Sequence, residues 1–245
     1  MCELFGFCAA KSENLANPLR VFFSHSIQHP DGWGIATFHG GGVTVEKEML
    51  RAIDSGYLQK RLSAPVTEPL LLAHIRKASV GALELGNCHP FVKYDGSGRR
   101  WTLIHNGTIF RGERLEQYAM VQYGSTDSER ILLYIIEQMQ RLERGLGRPA
   151  TDSERFACLD DAIAAIAPGN KVNLIVYDGV QMYVHANMEA SLYWLIRPEA
   201  VMVSTRPLSD EDWQLVPLST LIAFGSGREL LRGADRKHVY VEEGK

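Results

Sequence analysis

The chain has 245 residues, of which 45% are hydrophobic and 22% are charged, and its formal net charge is -3 at pH 7. These values are ordinary for a folded globular protein that buries a substantial core, and we expect one domain over residues 1–245. No apolar run approaches the ~18 residues of a membrane-spanning helix. The N-terminus lacks a secretory signal, and the scattered basic residues argue against nucleic acid as a partner. We therefore predict a cytoplasmic protein with a small-molecule substrate.

The second residue is a cysteine that directly follows the initiator methionine. We expect Met1 to be removed because cysteine is small, which would leave a thiol and a free α-amine on Cys2. A free α-amine titrates near ~7.7 to 8.0 and an ordinary thiol near ~8.5, so the amine can take the thiol proton at neutral pH. Cys2 is therefore a candidate nucleophile with its own base. The alternative is a small buried hydrophobic residue at the start of a strand.

Short apolar runs bounded by turn residues predict ten strands, and two helical periodicities stand between the strand-rich halves of the chain. The strands are expected at Leu4–Ala9, Gly34–Phe38, Val43–Glu46, Leu70–His74, Trp101–His105, Val172–Tyr177, Met182–His185, Leu192–Ile196, Val201–Ser204 and Leu221–Phe224. Asp178-Gly179 predicts a hairpin turn. Apolar residues on one face predict helices from Asp127 to Arg144 and from Ser153 to Ala167. The pattern indicates an α+β fold in which stacked sheets are covered by helices.

One polar cluster follows the apolar run WTLI, at Asn106 and Gly107. Asn-Gly after a strand is commonly a tight turn, because both residues tolerate positive φ. Alternatively, the Asn106 side-chain amide and the Gly107 N–H could converge on an oxyanion during acyl transfer. The missing side chain of Gly107 would then allow the substrate to approach closely.

Two further clusters contain charged groups that could bind an amino acid. Arg76, just beyond a strand in AHIRKASVG, is either a surface arginine or a bidentate ligand of a carboxylate. Asp127 lies in GSTDSER, where Thr126 and Glu129 predict a capping box and an acidic residue suits the helix N-terminus. Helix capping and the helix dipole explain every residue of that segment, yet Asp127 could also bind a substrate ammonium. Arg76 and Asp127 together would then bind both charges of a free α-amino acid.

Metal binding is a weaker interpretation of the histidines and cysteines. His74, His89, His105 and Cys88 are residue types that bind zinc, but they lack the close paired spacing of zinc motifs. We expect His74 to be a packed strand residue. The four cysteines form no Cys-X-X-Cys pair and no dense framework, which predicts reduced thiols.

Taken in order, several motifs resemble the class II glutamine amidotransferases, a family of N-terminal-nucleophile hydrolases. The motifs are MCELFGF, HPDGWGIA, AHIRKASVG, NCHPF, the HNG of residues 105–107, and GSTDSE. Farther along, VSTRPLSDEDWQLVP and the apolar residues 218–225 resemble the short stand-alone bacterial members. The resemblance implies a four-layer αββα sandwich of two stacked antiparallel sheets, without a cofactor or metal.

The resemblance also implies a role for each site residue. Cys2 would be the nucleophile and its α-amine the general base, while Asn106 and Gly107 would form the oxyanion hole. Arg76 would bind the α-carboxylate of glutamine, and Asp127 its α-ammonium. In this mechanism Cys2 attacks the side-chain amide, ammonia leaves, and water hydrolyses the γ-glutamyl thioester to glutamate.

Two departures from better-known members bear on the glutamine pocket. Gln28-His29 stands where those members have an Arg-Gly pair, and Val80 stands where they have a histidine. Members that make a product usually carry a second domain that accepts ammonia, and we expect any acceptor here to be a separate subunit. The oligomeric state is open. Two other functions remain: hydrolysis of a γ-glutamyl amide or peptide in small-thiol metabolism, and amino-acid binding without catalysis.

Overall fold

The computed structural model describes residues 2–242, and within them two antiparallel sheets are stacked face to face. The strands are β1 (Glu3–Asn14), β2 (Trp33–His39), β3 (Gly42–Glu48), β4 (Thr67–Ile75), β5 (Phe91–Tyr94), β6 (Arg100–Thr108), β7 (Lys171–Tyr177), β8 (Met182–His185), β9 (Tyr193–Arg197), β10 (Ala200–Ser204), β11 (Gln214–Leu215), β12 (Ile222–Gly225) and β13 (Arg228–Arg232). One sheet has the order β11-β9-β10-β1-β4-β2-β3, and the other has the order β13-β12-β8-β7-β6-β5. The helices are α1 (Ala16–Ser24), α2 (Gly56–Ser63), α3 (Asp127–Leu146) and α4 (Asp152–Ile166).

Side-chain alternation along β1 shows how the layers are arranged. Phe5 and Phe7 belong to an apolar cluster that includes residues of α1 and α2, whereas Leu4 and Cys8 belong to a cluster shared by the two sheets. A third cluster joins the second sheet to α3 and α4. A Cβ atom on Gly6 would lie 2.9 Å from Ile175 Cδ1, so the sheets pack closely there. The three clusters fill the three spaces between four layers, which confirms the predicted αββα sandwich.

The Asn106-Gly107 pair lies inside β6, so the tight-turn interpretation is wrong. Asn106 pairs with Asn173 and Gly107 pairs with Val172 in the antiparallel ladder between β6 and β7. The predicted strand ended at His105, but the ladder continues to Thr108. Continued pairing with β7 therefore decides the conformation of these two residues, rather than their turn propensity.

The predicted capping box of α3 is half correct. The Thr126 side chain accepts a hydrogen bond from the Glu129 N–H, as expected. The Glu129 carboxylate, however, accepts from the N–H groups of Tyr123 and Gly124, at 2.9 and 2.8 Å, instead of bonding back to the N-cap. A complete capping box occurs at α4, between Thr151 and Glu154. Glu129 thus holds the loop that precedes α3 as well as the helix start.

Most predicted elements are present, with shifted ends and several additions. β1 extends to Asn14, well beyond the predicted Ala9, and the prediction missed α1, α2, β5, β11 and β13. The two halves of the chain do not form one sheet each, because β9, β10 and β11 join the sheet that contains β1. Within residues 2–242, no helix is both long and apolar enough to cross a membrane. The cytoplasmic location stays a prediction.

Candidate active site

Cys2 lies beside two cavities near the end of the space between the sheets. It immediately precedes β1, and its alternation with Leu4 and Cys8 places its side chain on the β1 face that looks toward the second sheet. One cavity has a volume of about 480 Å³ and is also lined by Asn106. The other has a volume of about 380 Å³ and is also lined by Gly107. The chain therefore brings the candidate nucleophile and both candidate oxyanion donors to one place.

The Cys2 thiol is half-buried and contacts the backbone of Lys77. Its Sγ donates to the Lys77 carbonyl at 3.4 Å and accepts from the Lys77 N–H at the same distance of 3.4 Å. Burial raises the pKa of the thiol, while the Lys77 hydrogen bond and the Arg76 charge oppose that rise. Because the net direction is upward, the thiol is protonated at neutral pH. Nucleophilic attack from this site therefore requires a base.

Asn106 and Gly107 are held firmly by the β6–β7 ladder. The Asn106 side chain is buried, and its Oδ1 has no hydrogen-bond partner among the described residues. A Cβ atom on Gly107 would lie 1.9 Å from the Lys171 carbonyl oxygen and 2.4 Å from His105 Nε2. Glycine is therefore required here by the neighbouring strand, which is a different reason from the substrate approach that the sequence suggested.

Arg76 is only 2% exposed, so the surface-arginine alternative is wrong. Its backbone continues from β4, and its Nη2 donates to the carbonyls of Val80 and Gly81 at 3.2 and 3.3 Å. Its Nη1 has no partner among residues 2–242. A buried N–H without a partner is costly, and an anionic ligand would supply the missing acceptor.

Asp127 is the first residue of α3, and its side chain is buried. Its Oδ2 accepts from the Ile109 N–H at 2.8 Å, and its Oδ1 accepts from Ser128 Oγ at 3.3 Å. Neither Arg76 nor Asp127 is among the described residues that line the two Cys2 cavities. Asp127 thus makes two hydrogen bonds within the protein, and its contact with a substrate ammonium stays a prediction.

Three buried histidines pack beneath the site. His74 Nε2 donates to the His105 carbonyl at 3.1 Å, and the ring of His89 stacks on that of His74 with centroids 4.0 Å apart. His105 donates from Nε2 to the Lys171 carbonyl at 3.2 Å. Burial lowers the pKa of His74 to about 3 and holds the pKa of His89 well below its ordinary value. Within residues 2–242, no group of three or more His, Cys, Asp or Glu side chains is placed to hold a metal ion.

Replacing His89 with phenylalanine is expected to make the protein less sensitive to acid. The unfolded chain protonates this histidine near ~6.5, but the buried ring stays neutral to a much lower pH. The free energy of unfolding therefore falls as the pH drops below ~6.5, by up to about 1.4 kcal/mol per pH unit for each such group. Because both ring nitrogens lack partners among the described residues, His89→Phe removes this proton uptake without breaking a hydrogen bond.

Urea unfolding at pH 7.5 and 5.0 measures the effect. We expect the stability lost between these two pH values to shrink by about 2 kcal/mol in His89→Phe. His238→Gln, in the segment that follows β13 and outside the cluster, is the control and should keep the full loss. An unchanged loss in His89→Phe would mean that the ring is already protonated in the folded protein.

Several residues at the site were missed by sequence reasoning. Lys171 lines both cavities, and Glu3 and Arg206 face the larger one, joined by a contact of 2.9 Å between Arg206 Nε and Glu3 Oε1. Tyr240 and Glu242 line the smaller cavity from the C-terminal segment. Glu3 could have been suspected from its place beside Cys2. The sequence around Lys171, Arg206, Tyr240 and Glu242 contains no motif that marks them as site residues. They reach the site only because the two sheets stack and because the C-terminal segment passes the smaller cavity.

Comparisons with known proteins agree on one family. A family model described as "Glutamine amidotransferases class-II" matches residues 1–200. The chain is 30% identical over 223 residues to "Putative glutamine amidotransferase YafJ" from Escherichia coli (strain K12), covering 88% of this chain and 83% of the relative. A structure titled as a predicted glutamine amidotransferase from Pseudomonas aeruginosa PA01 aligns with a TM-score of 0.65 at 22% identity, over 94% of this chain and all (100%) of that one.

A larger enzyme contains the same fold. Glutamine phosphoribosylpyrophosphate amidotransferase from B. subtilis aligns with a TM-score of 0.67 at 16% identity, over 94% of this chain. The alignment covers 48% of the B. subtilis chain, so the described fold corresponds to about half of that enzyme.

Proposed function

Because the chain belongs to the class II glutamine amidotransferases, enzymes with an N-terminal nucleophile, we propose that it hydrolyses glutamine through a γ-glutamyl thioester on Cys2. The Cys2 α-amine, once Met1 is removed, takes the thiol proton, and the sulfur attacks the side-chain amide carbon. The C–N bond breaks and the nitrogen leaves as ammonia after receiving that proton. Water then cleaves the thioester to glutamate and restores the thiol. Met1 itself lies outside the described residues.

One observation carries this proposal: the Cys2 thiol lines both cavities, of which one is lined by Asn106 and the other by Gly107. Acyl transfer needs a nucleophile beside donors that can stabilise the oxyanion, and removing one such donor typically costs about 3 to 4 kcal/mol of transition-state stabilisation. In the proposed mechanism the Asn106 amide and the Gly107 N–H are these donors. The ladder with β7 fixes them before substrate arrives, so they need no reorganisation during the reaction.

Arg76 and Asp127 are proposed to bind the two charged groups of glutamine. The buried Nη1 of Arg76 has no partner among the described residues, and the substrate α-carboxylate would supply one. Asp127 would share its carboxylate between the Ile109 N–H and the α-ammonium. Any acceptor of the released ammonia is proposed to be a separate subunit.

A second candidate function is hydrolysis of a γ-glutamyl amide or peptide, and the size of the larger cavity favours it. A cavity of about 480 Å³ is far larger than ammonia requires as a leaving group. Its lining includes Gln28, His29, Tyr193 and Arg206, which could contact a substituent on the amide nitrogen. The two candidates share the same nucleophile and oxyanion donors and differ only in what occupies this cavity.

A substrate comparison decides between them. One preparation is used for both assays, and its intact mass confirms that the Cys2 amine is free. The first assay measures ammonia release from glutamine, and the second measures glutamate release from γ-glutamyl amides and dipeptides. We expect the higher kcat/KM for glutamine. A higher value for the substituted amides would replace the first candidate with the second. If neither compound turns over while glutamine still binds, the chain is a non-catalytic amino-acid-binding relative.

A further inference from the structure

Lys171 occupies a special position beside Cys2. Cys2, Lys77 and Lys171 are the described residues that line both cavities. Lys171 begins β7, pairs with Thr108 of β6, and is only 3% exposed. A buried lysine side chain is rare because desolvation disfavours its charge. Lys171 therefore places a buried lysine side chain in the lining of both cavities.

The backbone at Lys171 is held in place by its neighbours. The Asn170 side chain accepts from the N–H groups of Phe110 and Arg111, at 2.7 Å each, and so ties the start of β7 to the end of β6. The Lys171 carbonyl accepts from His105 Nε2 at 3.2 Å. The position from which the lysine side chain extends is thus fixed relative to the oxyanion donors and to Cys2.

The charges of Lys171 and Cys2 interact. Burial lowers the pKa of the Lys171 ammonium to about 8, and the charges of Cys2 and Glu242 oppose that decrease. The interaction is mutual: a thiolate that stabilises an ammonium is itself stabilised by that ammonium. Lys77 carries the same formal charge in the same two cavities but is exposed, so water screens it more strongly.

Other charged or titratable groups also face Cys2 and have to be considered. They are Glu3, His29, Lys77, Glu189, Tyr193 and Arg206 in the larger cavity, Tyr240 and Glu242 in the smaller cavity, and Arg76 and Asp127, whose charges act on the thiol. Glu3 contacts His25 and Arg206, at 2.6 and 2.9 Å, so its negative charge is largely compensated locally. Among the lysines of the two cavities, Lys171 is the buried one.

We propose that Lys171 is a positioning residue whose buried ammonium favours the ionised thiol of Cys2. The cation lowers the free energy of the thiolate that forms when the α-amine exposed by methionine removal takes the thiol proton. Lys171 itself takes no part in this proton transfer. Its importance for turnover rests on the proposed function, whereas its effect on Cys2 chemistry does not.

The test measures the reactivity of Cys2 without any substrate. Iodoacetamide alkylation is followed from pH 6 to 11, and mass spectrometry quantifies the Cys2 peptide in proteins with the same N-terminal state. Removing a cation destabilises the thiolate, so Lys171→Met should raise the thiol pKa by about one unit and slow alkylation about 10-fold below that pKa. Lys171→Arg keeps the charge, so the pKa of its Cys2 thiol should stay within about 0.3 unit of that in the parent protein.

The controls separate a charge effect from a structural one. Lys77→Met removes the same formal charge at an exposed position and should shift the thiol pKa by less than about 0.3 unit. Lys171→Gln serves as a second neutral variant if Lys171→Met fails to fold, which thermal melting reveals. The proposal is overturned if the Cys2 thiol has the same pKa in the neutral variants as in the parent. It is also overturned if Lys171→Arg changes the thiol pKa as much as the neutral variants do.

A separate glutamine assay distinguishes this proposal from the proposed function. If alkylation depends on the Lys171 charge but the parent protein does not turn over glutamine, the function is wrong and the electrostatic role stands. If glutamine is hydrolysed but alkylation is independent of the charge, the role of Lys171 is wrong and the function stands.

Discussion

Replacing Cys2 with alanine is expected to abolish glutamine hydrolysis, with kcat reduced by roughly 10⁴-fold or more. No thioester can form without the sulfur, and only the oxyanion donors and substrate-binding groups remain. Stability should change by less than about 1 kcal/mol, because the side chain is half-buried and its hydrogen bonds are with the Lys77 backbone. Ammonia release and thermal melting measure the two effects on the same samples.

Cys158→Ala provides the matched control for this prediction. Cys158 is also partly buried, but it lies on α4, and burial raises the pKa of its thiol to about 11. Its removal should leave turnover within about 2-fold of the parent protein. Retention of more than about 1% of the parental kcat in Cys2→Ala would assign the chemistry to another group.

The candidate site residues that could be chosen from the sequence are those whose chemistry is visible locally. A cysteine after the initiator methionine, an Asn-Gly pair after an apolar run, and an arginine at a strand end each combine an unusual residue with a recognisable context. Lys171 has no such context. It looks like an ordinary charged residue before an apolar strand, and its place beside Cys2 follows from its burial and from the stacking of β7 against β1. Neither can be derived from nearby sequence.

The same limit explains what was missed in the fold. The helices α1 and α2 have 9 and 8 residues, so most of their stability comes from packing on the first sheet rather than from propensity. The pairing of β10 with β1 joins segments almost 200 residues apart, as in Cys8 with Val201. Periodicity identified most strands, but it carries no information about which distant strand is the neighbour.

The interpretation of Gly107 changes most between sequence and structure, and it gives the second large effect. Gly107→Ala is expected to destabilise the protein by about 3 kcal/mol or more, because the new Cβ would lie 1.9 Å from the Lys171 carbonyl oxygen. That oxygen belongs to the backbone of β7 and cannot rotate away, so the two strands must separate. For a chain of this size the melting temperature should fall by about 6 to 12 °C. Activity should also fall, since separation displaces the proposed oxyanion donors.

Asn106→Ala tests the same oxyanion hole without the steric conflict. Its Oδ1 has no partner among residues 2–242, so truncation should change stability by less than about 1 kcal/mol. Loss of one oxyanion donor should still reduce kcat about 10²- to 10³-fold. The pair therefore separates two roles: Gly107→Ala should lose stability and activity together, and Asn106→Ala should lose activity alone. A Gly107→Ala protein that melts like the parent would show that β6 and β7 can move apart easily, and the requirement for glycine would then rest on the substrate.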